Sequence, residues 1–204
     1  MSTFIGFSEQ DFEIFSIEGL DERMEAIQNY IQPKFKLIGD DVTTYLSNAL
    51  ELDMFLHIAK HARRSVNPPK DTWLAVAANK RGYKKHPHFQ IGLFDDHVFV
   101  WFALIYELPM KTEIAKKLLD HYQDLKALPA NFVISLDHTK KDAFPISDLQ
   151  TEHLERFRDV KKAEFLIGRH FQKTDPIIQD GKAFITEVKK TFDTMIPLYQ
   201  ISTD

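Results

Sequence analysis

Apolar residues recur every three or four positions in the first fifty residues, which is the pattern of amphipathic helices. Ser8 can cap a first short helix that runs to Phe15. The stretches 20–32 and 35–50, on either side of Pro33, each carry an apolar stripe at helical spacing. We therefore expect three helices, of which the second and third each lay one face on a core.

The middle of the chain changes to short runs of β-branched, aromatic and aliphatic residues bounded by Pro, Gly, Asn and Asp. These runs predict four strands, over residues 54–59, 72–79, 89–94 and 97–107. Asp95 and Asp96 give a connection of hairpin length between the third strand and the fourth. The fourth run is apolar at nearly every position, which favours a central strand covered on both faces over a strand whose second face contacts a ligand.

Helical and extended patterns alternate in the last third of the chain. Helices are predicted over 111–128 and near 148–158, the latter starting with a capping box of Ser147 and Gln150. The extended runs predict two further strands, over residues 132–136 and 164–171.

The final helix has the clearest pattern in the sequence. Thr174 or Asp175 can cap it, Pro176 suits its first turn, and apolar residues recur at helical spacing over 177–199. Gly181 lies on this apolar stripe, where the lack of a side chain permits close packing.

Mainly consecutive strands between helices at both chain ends are typical of an α+β fold. We expect one domain over residues 1–204, with a largely antiparallel β-sheet and helices from both chain ends packed on it. The 204 residues suffice for such a core, and 44% hydrophobic with 27% charged residues is typical of globular proteins. The chain contains no internal repeat and no Gly/Ser-rich linker.

Composition and motifs exclude several classes of protein. The chain has no apolar run of about 18 residues and no signal-peptide pattern, so we expect a cytoplasmic protein without a membrane segment. Without cysteine it has no disulfide, no thiolate nucleophile and no cysteine-ligated metal. The motifs GxGxxG, Walker A, HExxH, GxSxG and EF-hand are absent, which removes support for the classes that carry them.

The charge is unevenly distributed along the chain. The formal net charge is −4, but residues 60–85 carry eight basic side chains and one acidic one, Asp71. A basic segment on an acidic body concentrates small anions, while the body repels polyanions. The pI near 6.1 also disfavours a general nucleic-acid binder. The alternative that these cations form ordinary surface ion pairs stays open.

The basic segment predicts a binding site for an anionic small molecule, such as a nucleotide or a phosphorylated metabolite. Arginine offers a planar fork for phosphate or carboxylate, lysine adds a point charge, and tyrosine can stack on a planar ligand. Pro68 and Pro69 stiffen one of the two loops that carry these residues. If the flanking strands are adjacent, the two loops meet and form one site from eight residues: His61, Arg63, Arg64, Lys70, Arg81, Tyr83, Lys84 and His88.

Two pairs of histidines lie close to these cations. The spacings of His57 from His61 and of His86 from His88 place each pair on one face if both members lie on a strand. The surrounding lysines and arginines raise the energy of a bound metal ion, so we expect no metal and no other cofactor.

Two other functions stay open from the sequence. A hydrolase-like enzyme would use His61, His88, Asp137 and His138 as acid–base or metal groups. It requires the strand at 132–136 to lie beside one of the strands at 54–59 and 89–94. A protein-partner or nucleic-acid binding protein would instead present the basic segment to an acidic polymer.

One long segment and several short ones carry a family resemblance: AKHARRSVNPPKDTWLAVAANKRGYKKHPHFQIGLFDDHVFV, GLDERMEAIQNYIQPKF, SLDH, VKKAEFLIGR and KAFI. These segments resemble the YktB family, uncharacterised cytoplasmic proteins of Gram-positive Firmicutes with a domain of unknown function. The resemblance runs from about Phe7 to Tyr199. It implies a single α/β domain with an antiparallel-rich sheet and implies no activity, so every candidate site above rests on the residues of this chain.

Overall fold

An antiparallel sheet of seven strands forms the centre of the computed structural model, which describes residues 3–203. The strands are β1 (Phe55–Ile58), β2 (Thr72–Ala77), β3 (His88–Leu93), β4 (His97–Leu104), β5 (Val133–Ser135), β6 (Phe144–Pro145) and β7 (Phe165–Gln172). Their order across the sheet is β1-β2-β3-β4-β7-β5-β6, and each neighbouring pair is antiparallel.

Helices from both ends of the chain and from its middle accompany the sheet. They are α1 (Glu9–Glu13), α2 (Leu20–Ala26), α3 (Gln32–Leu50), α4 (Lys111–Asp120), α5 (Tyr122–Lys126), α6 (Thr151–Asp159), α7 (Pro176–Gln179) and α8 (Gly181–Thr203). Short 3-10 turns cover Ile14–Ser16 and Ile146–Asp148. Over residues 3–203, no helix has both the length and the apolar character that crossing a bilayer requires.

The two faces of the sheet have different partners. On one face, side chains such as Val76, Phe89 and Phe102 join the apolar stripes of the helices in the main core. On the other face, a smaller apolar cluster is made of sheet and hairpin residues alone: Phe94, Phe99, Trp101, Ala103, Ile105 and Leu166, with Trp73 packed against it. All eight residues of β4 are buried, which confirms the central strand that its sequence predicts. The predicted α+β class is therefore confirmed, and connecting segments rather than helices must cover the second face.

The predicted hairpin at Asp95 and Asp96 joins β3 to β4, and the Phe94 N–H donates to the carbonyl of His97 at 3.0 Å.

The two helices predicted on either side of Pro33 form one continuous helical segment, because a π-helical turn over Ile27–Ile31 links α2 directly to α3. Proline lacks an N–H and its ring crowds the carbonyl four residues earlier, and the wider π turn before it relieves both constraints.

Two predicted helix starts differ from the structure. Ser147 lies in a 3-10 turn, so the prediction that it caps the next helix was wrong. Gln150 is the cap of α6, and its N–H donates to Nδ1 of His153 at 3.0 Å. The final helix is divided at Asp180, whose Oδ1 accepts from the N–H groups of Lys182 and Ala183 and so starts α8. A side-chain oxygen that satisfies two free helical N–H groups favours a new start over a continued helix.

Two predictions for this last region are confirmed. Asp175 caps α7, since its Oδ1 accepts from the N–H of Ile177 at 2.9 Å. Gly181 permits close packing, because a β-carbon there would lie 2.0 Å from the carbonyl oxygen of Phe4. The N-terminal segment is thereby held against the start of α8, and the Gly181 N–H donates to the Ile5 carbonyl at 3.1 Å.

Replacing Gly168 by alanine should destabilise the sheet. Gly168 lies in β7 between Trp101 of β4 and Val133 of β5, and a β-carbon would lie 1.9 Å from the carbonyl oxygen of Val100. Because backbone must move to make room, we expect Gly168→Ala to lower the free energy of unfolding by about 1–3 kcal/mol in urea denaturation.

Gly82→Ala is the matched control, because nothing lies within 4 Å of a β-carbon at that position. It should leave the free energy of unfolding within about 0.5 kcal/mol of the wild type. Equal stability of the two variants would contradict the close approach of β7 to β4.

Candidate functional site

The two basic loops lie at opposite ends of β2. The first, residues 59–71, joins β1 to β2, and the second, residues 78–87, joins β2 to β3. Successive connections of an antiparallel sheet leave at opposite ends of the shared strand, so adjacency of the strands keeps these loops apart. The expectation that they meet as one basic surface was therefore wrong for Arg63, Arg64 and Lys70, whereas Lys60, at the start of the first loop, lies beside the second loop. Trp73 of β2 reaches the second loop, because its Nε1 donates to the Tyr83 hydroxyl at 3.0 Å.

The second loop and the edge strand β1 enclose a cleft of about 690 Å³, which we call the cationic cleft. Its charged lining consists of four cations and one carboxylate: Lys60, Arg81, Lys84, Lys85 and Glu107. Lys84 pairs with Glu107 at 3.5 Å. Within residues 3–203, Lys60, Arg81 and Lys85 form no ion pair. The volume is in the range of small-molecule sites, and the cleft carries an excess of positive charge.

Tyr83 forms a fixed wall of the cationic cleft. Its ring packs against His57 with centroids 5.6 Å apart and against His88 at 4.9 Å, while its hydroxyl accepts from Trp73. His57 in turn donates from Nε2 to the carbonyl of Asn79 at 2.9 Å, which fastens the second loop to β1. Burial raises the pKa of Tyr83, so its hydroxyl stays protonated at neutral pH.

His88 packs against the Tyr83 ring from the side of the sheet. It is fully buried at the start of β3, its Nδ1 donates to the carbonyl of His86 at 2.8 Å, and Gln90 donates to its Nε2 at 2.8 Å. Burial lowers the pKa of His88 to about 3, so the ring is neutral. With both nitrogens engaged by the protein, His88 positions Tyr83 and has no charge to offer an anion.

His61 lies at the other end of β2, where it adopts a left-handed backbone conformation with φ of 48°. Its Nε2 is 3.2 Å from the Thr72 hydroxyl, and its ring meets Trp73 edge-on at 5.4 Å. Burial, together with the charge of Arg64, lowers the pKa of His61 to about 4. This ring is also neutral at pH 7.

The paired-histidine interpretation was wrong for both pairs. β1 ends at Ile58, so only His57 of the first pair lies on a strand, and β3 begins at His88, so His86 lies in the loop. The same-face rule applies only where both residues are extended in one strand.

The structure divides the eight candidate residues into three groups. Arg81, Tyr83 and Lys84 line the cationic cleft, and His88 lies beneath it. The remaining four belong to the first loop: His61, Arg63, Arg64 and Lys70. Arg63, Arg64 and Lys70 are exposed, and Arg64 donates to the carbonyl of Asn67 at 3.4 Å. Sequence reasoning missed Lys60 and Lys85 as lining residues, although both were counted in the basic segment.

The strand arrangement that a hydrolase-like site requires is absent, because β5 pairs with β6 and β7 instead of β1 or β3. His88 and Asp137 therefore do not converge through neighbouring strands. His138, in the loop after β5, nevertheless meets the Trp73 ring edge-on at 6.1 Å, and its Nδ1 donates to Glu164 at 2.7 Å. Glu164 was not among the candidates, since the sequence shows no short-range signal linking it to a histidine 26 residues earlier.

Comparison with known proteins gives one family. The family model described as "Domain of unknown function (DUF1054)" matches residues 7–199. The chain belongs to this family. The resemblance stated from the sequence segments is thereby confirmed, and the DUF1054 description assigns no activity.

Relatives extend over nearly the whole chain. It is similar to the UPF0637 protein OB1420 of Oceanobacillus iheyensis, with 60% identity over 98% of this chain and 97% of that one. The UPF0637 protein ABC2405 of Shouchella clausii is 57% identical, covering 97% and 94% of the two chains. The UPF0637 protein lwe1043 of Listeria welshimeri is 54% identical, covering 97% and 98%. Each of these alignments covers at least 94% of both chains.

The buried neutral His88 should make stability depend on pH. Its folded pKa lies below the unfolded value of about 6.5, so the stability it contributes is present above that pH and lost as pH falls. Between about pH 7 and pH 5 this loss amounts to about 2 kcal/mol for a group this deeply buried. His88→Asn should therefore show a pH dependence of the unfolding free energy that is shallower than that of the wild type by about this amount.

The wild type has to be compared with His88→Asn because Asp71 changes the pH dependence of the unfolding free energy in the opposite direction. Burial raises the pKa of Asp71 to about 6, so its carboxyl group favours the folded state at lower pH. Gly82→Ala, which removes no ionisable group and has open space for the added β-carbon, is the control and should retain the wild-type slope. An unchanged slope in His88→Asn would show that His88 is accessible to protons in the folded state.

Proposed function

We propose that the protein is a cytoplasmic binding module for an anionic small molecule, a nucleotide or a phosphorylated metabolite, held in the cationic cleft. The observation that carries this proposal is the set of three lining cations, Lys60, Arg81 and Lys85, without an ion-pair partner within residues 3–203. Cations that face one another in a cleft repel, and a bound phosphate removes that repulsion with charge-assisted hydrogen bonds.

The chemistry of the lining suits a ligand that is both charged and planar. Arg81 can hold phosphate oxygens through two parallel donors, while Lys60 and Lys85 add point charges. Tyr83 and the imidazole of His57 present flat faces against which a base can pack. A nucleotide combines these features in one molecule.

The rest of the surface favours a small ligand over a nucleic acid. The net charge is −4, so a long polyanion that reached the cleft would also meet the acidic body. A ligand of cleft size experiences mainly the local cations, because surface fields are screened within about 8–10 Å at physiological salt.

Binding of inorganic tripolyphosphate, measured by isothermal titration calorimetry, tests the site. The double variant Arg81→Ala/Lys85→Ala should weaken binding at least about tenfold, because each lost charge-assisted hydrogen bond is worth about 1.5–3 kcal/mol. Arg63→Ala/Arg64→Ala also removes two positive charges but from the opposite end of β2, and it should bind nearly as the wild type.

Both double variants have the same net charge, so a difference in their affinity for tripolyphosphate shows whether the anion binds in the cationic cleft or at the first loop. Loss of binding in Arg63→Ala/Arg64→Ala alone would place the anion at the first loop and contradict the cationic cleft. A nucleoside triphosphate used in place of tripolyphosphate should bind more tightly, and Tyr83→Phe should retain that gain because the ring remains.

A further inference from the structure

A second cleft, which we call the His138 cleft, shares no lining residue with the cationic cleft. Its volume is about 470 Å³, and it lies where the loop after β5 meets the segment before β7. His138 and Glu164 line it together with three cations, Lys140, Arg156 and Lys162. Within residues 3–203, Arg156 and Lys162 form no ion pair, and Lys140 is 3.5 Å from Asp137.

Glu164 fixes the orientation and tautomer of His138. The glutamate side chain is only 5% exposed, and its Oε2 accepts from Nδ1 of His138 at 2.7 Å and from the His138 backbone N–H at 2.9 Å. The proton of the neutral ring therefore lies on Nδ1. Nε2 forms no hydrogen bond with any residue of the described chain and is not one of its fully buried unpartnered atoms.

A cation is a poor occupant of the His138 cleft, although donor atoms of Asp137, His138 and Glu164 all lie within 4.8 Å of one another. Oε2 of Glu164 is already engaged by two donors. Oδ1 of Asp137 accepts from the N–H and the hydroxyl of Thr139, and Oδ2 faces Lys140. A metal ion would have to displace these donors in a cleft that Lys140, Arg156 and Lys162 also line. An oxyanion would instead be attracted by these three cations.

We propose that the His138 cleft is a second anion site, for a phosphate group, in which Nε2 of His138 gains a proton as the phosphate binds. Arg156 and Lys162 hold the phosphate oxygens, and Glu164 is a positioning residue that keeps the ring aligned. No covalent step is involved, and the proton comes from solvent.

The charges around His138 are consistent with proton uptake. Burial alone lowers the pKa of His138, but the hydrogen bond and charge of Glu164, with smaller effects of Asp71 and Asp137, raise it above its usual value. Lys140, Arg156 and Lys162 face the same cleft, and a bound phosphate dianion would offset their charges. The imidazolium is therefore favoured further when the cleft is occupied.

Histidine NMR on the full chain tests the proposal, with inorganic phosphate as the probe. The Cε1–H resonance of His138, assigned by its loss in His138→Asn, is titrated between about pH 5.5 and 8.5 with and without phosphate. We expect phosphate to raise the pKa of His138 by at least about half a unit. Lys162→Ala should abolish most of this shift, while its exposed neighbour Lys161, which does not line the cleft, gives the control Lys161→Ala with a wild-type response.

Glu164→Gln distinguishes positioning from a purely structural role. It retains the shape and an acceptor oxygen but removes the negative charge, so the pKa of His138 should fall while the fold is kept. If the variant does not fold, Lys162→Ala still decides the proposal because Lys162 is exposed.

Two results would overturn the second site. The first is a His138 resonance that does not respond to phosphate, or that responds to zinc ions alone. The second is loss of the His138 response in Arg81→Ala/Lys85→Ala, which would place the phosphate in the cationic cleft. Resonances of His57 and His86, which line the cationic cleft, report on that site independently, so failure of either proposal is recognised separately.

Discussion

The hydrogen bond and ring contacts of Trp73 hold together the face of the sheet that carries the smaller apolar cluster. Its Nε1 donates to Tyr83 of the second loop, and its ring meets His61 of the first loop and His138 of the loop after β5. Three segments that are distant in sequence are thus tied to one indole. Without such a tie, each loop would leave apolar strand residues open to water, which costs about 25 cal/mol per Å² of apolar surface.

Small residues on the same face make this covering possible. Ala75 pairs with Gln90 on β3, Ala103 lies opposite His88, and Gly168 lies opposite Trp101. The small side chains at these positions leave room for the imidazole rings of the loops, which meet Trp73 edge-on. Residues of these loops also line both clefts.

The sequence predicted the elements well because their signals are local. Runs of β-branched, aromatic and aliphatic residues identified β1 to β5 and β7, and helical periodicity identified the helices. The burial of β4 followed from its continuous apolar run. The two-residue strand β6 was missed because so short a run has no period, and the break at Asp180 was missed because an apolar stripe continues across it.

The candidate sites were predictable only in part, because they depend on which end of the sheet a loop occupies. Because neighbouring strands run in opposite directions, Arg63 and Arg64 lie at one end of β2 and Arg81 and Lys84 at the other. This separation can be predicted only when the pairing of the strands is known, and composition does not give it. The pairing of His138 with Glu164 depends on β5 lying beside β7, an arrangement created by a long crossover. Residue type pointed to the right chemistry, while topology decided which residues share a site.

The histidines on this face of the sheet differ in the direction of their pKa shifts, which depends on burial and on whether a carboxylate is in contact with the ring. His88 is fully buried and His61 is half-buried, each against an aromatic ring, so burial lowers each pKa and the two imidazoles stay neutral. His170 behaves likewise beneath His97, with its pKa lowered to about 3 by burial. His138 is half-buried, but the carboxylate of Glu164 outweighs the effect of burial and raises its pKa. Because Glu164 stabilises the imidazolium, His138 is the member of this set whose charged form the protein favours, and the cations around it favour an anion as the ligand that contacts that charge.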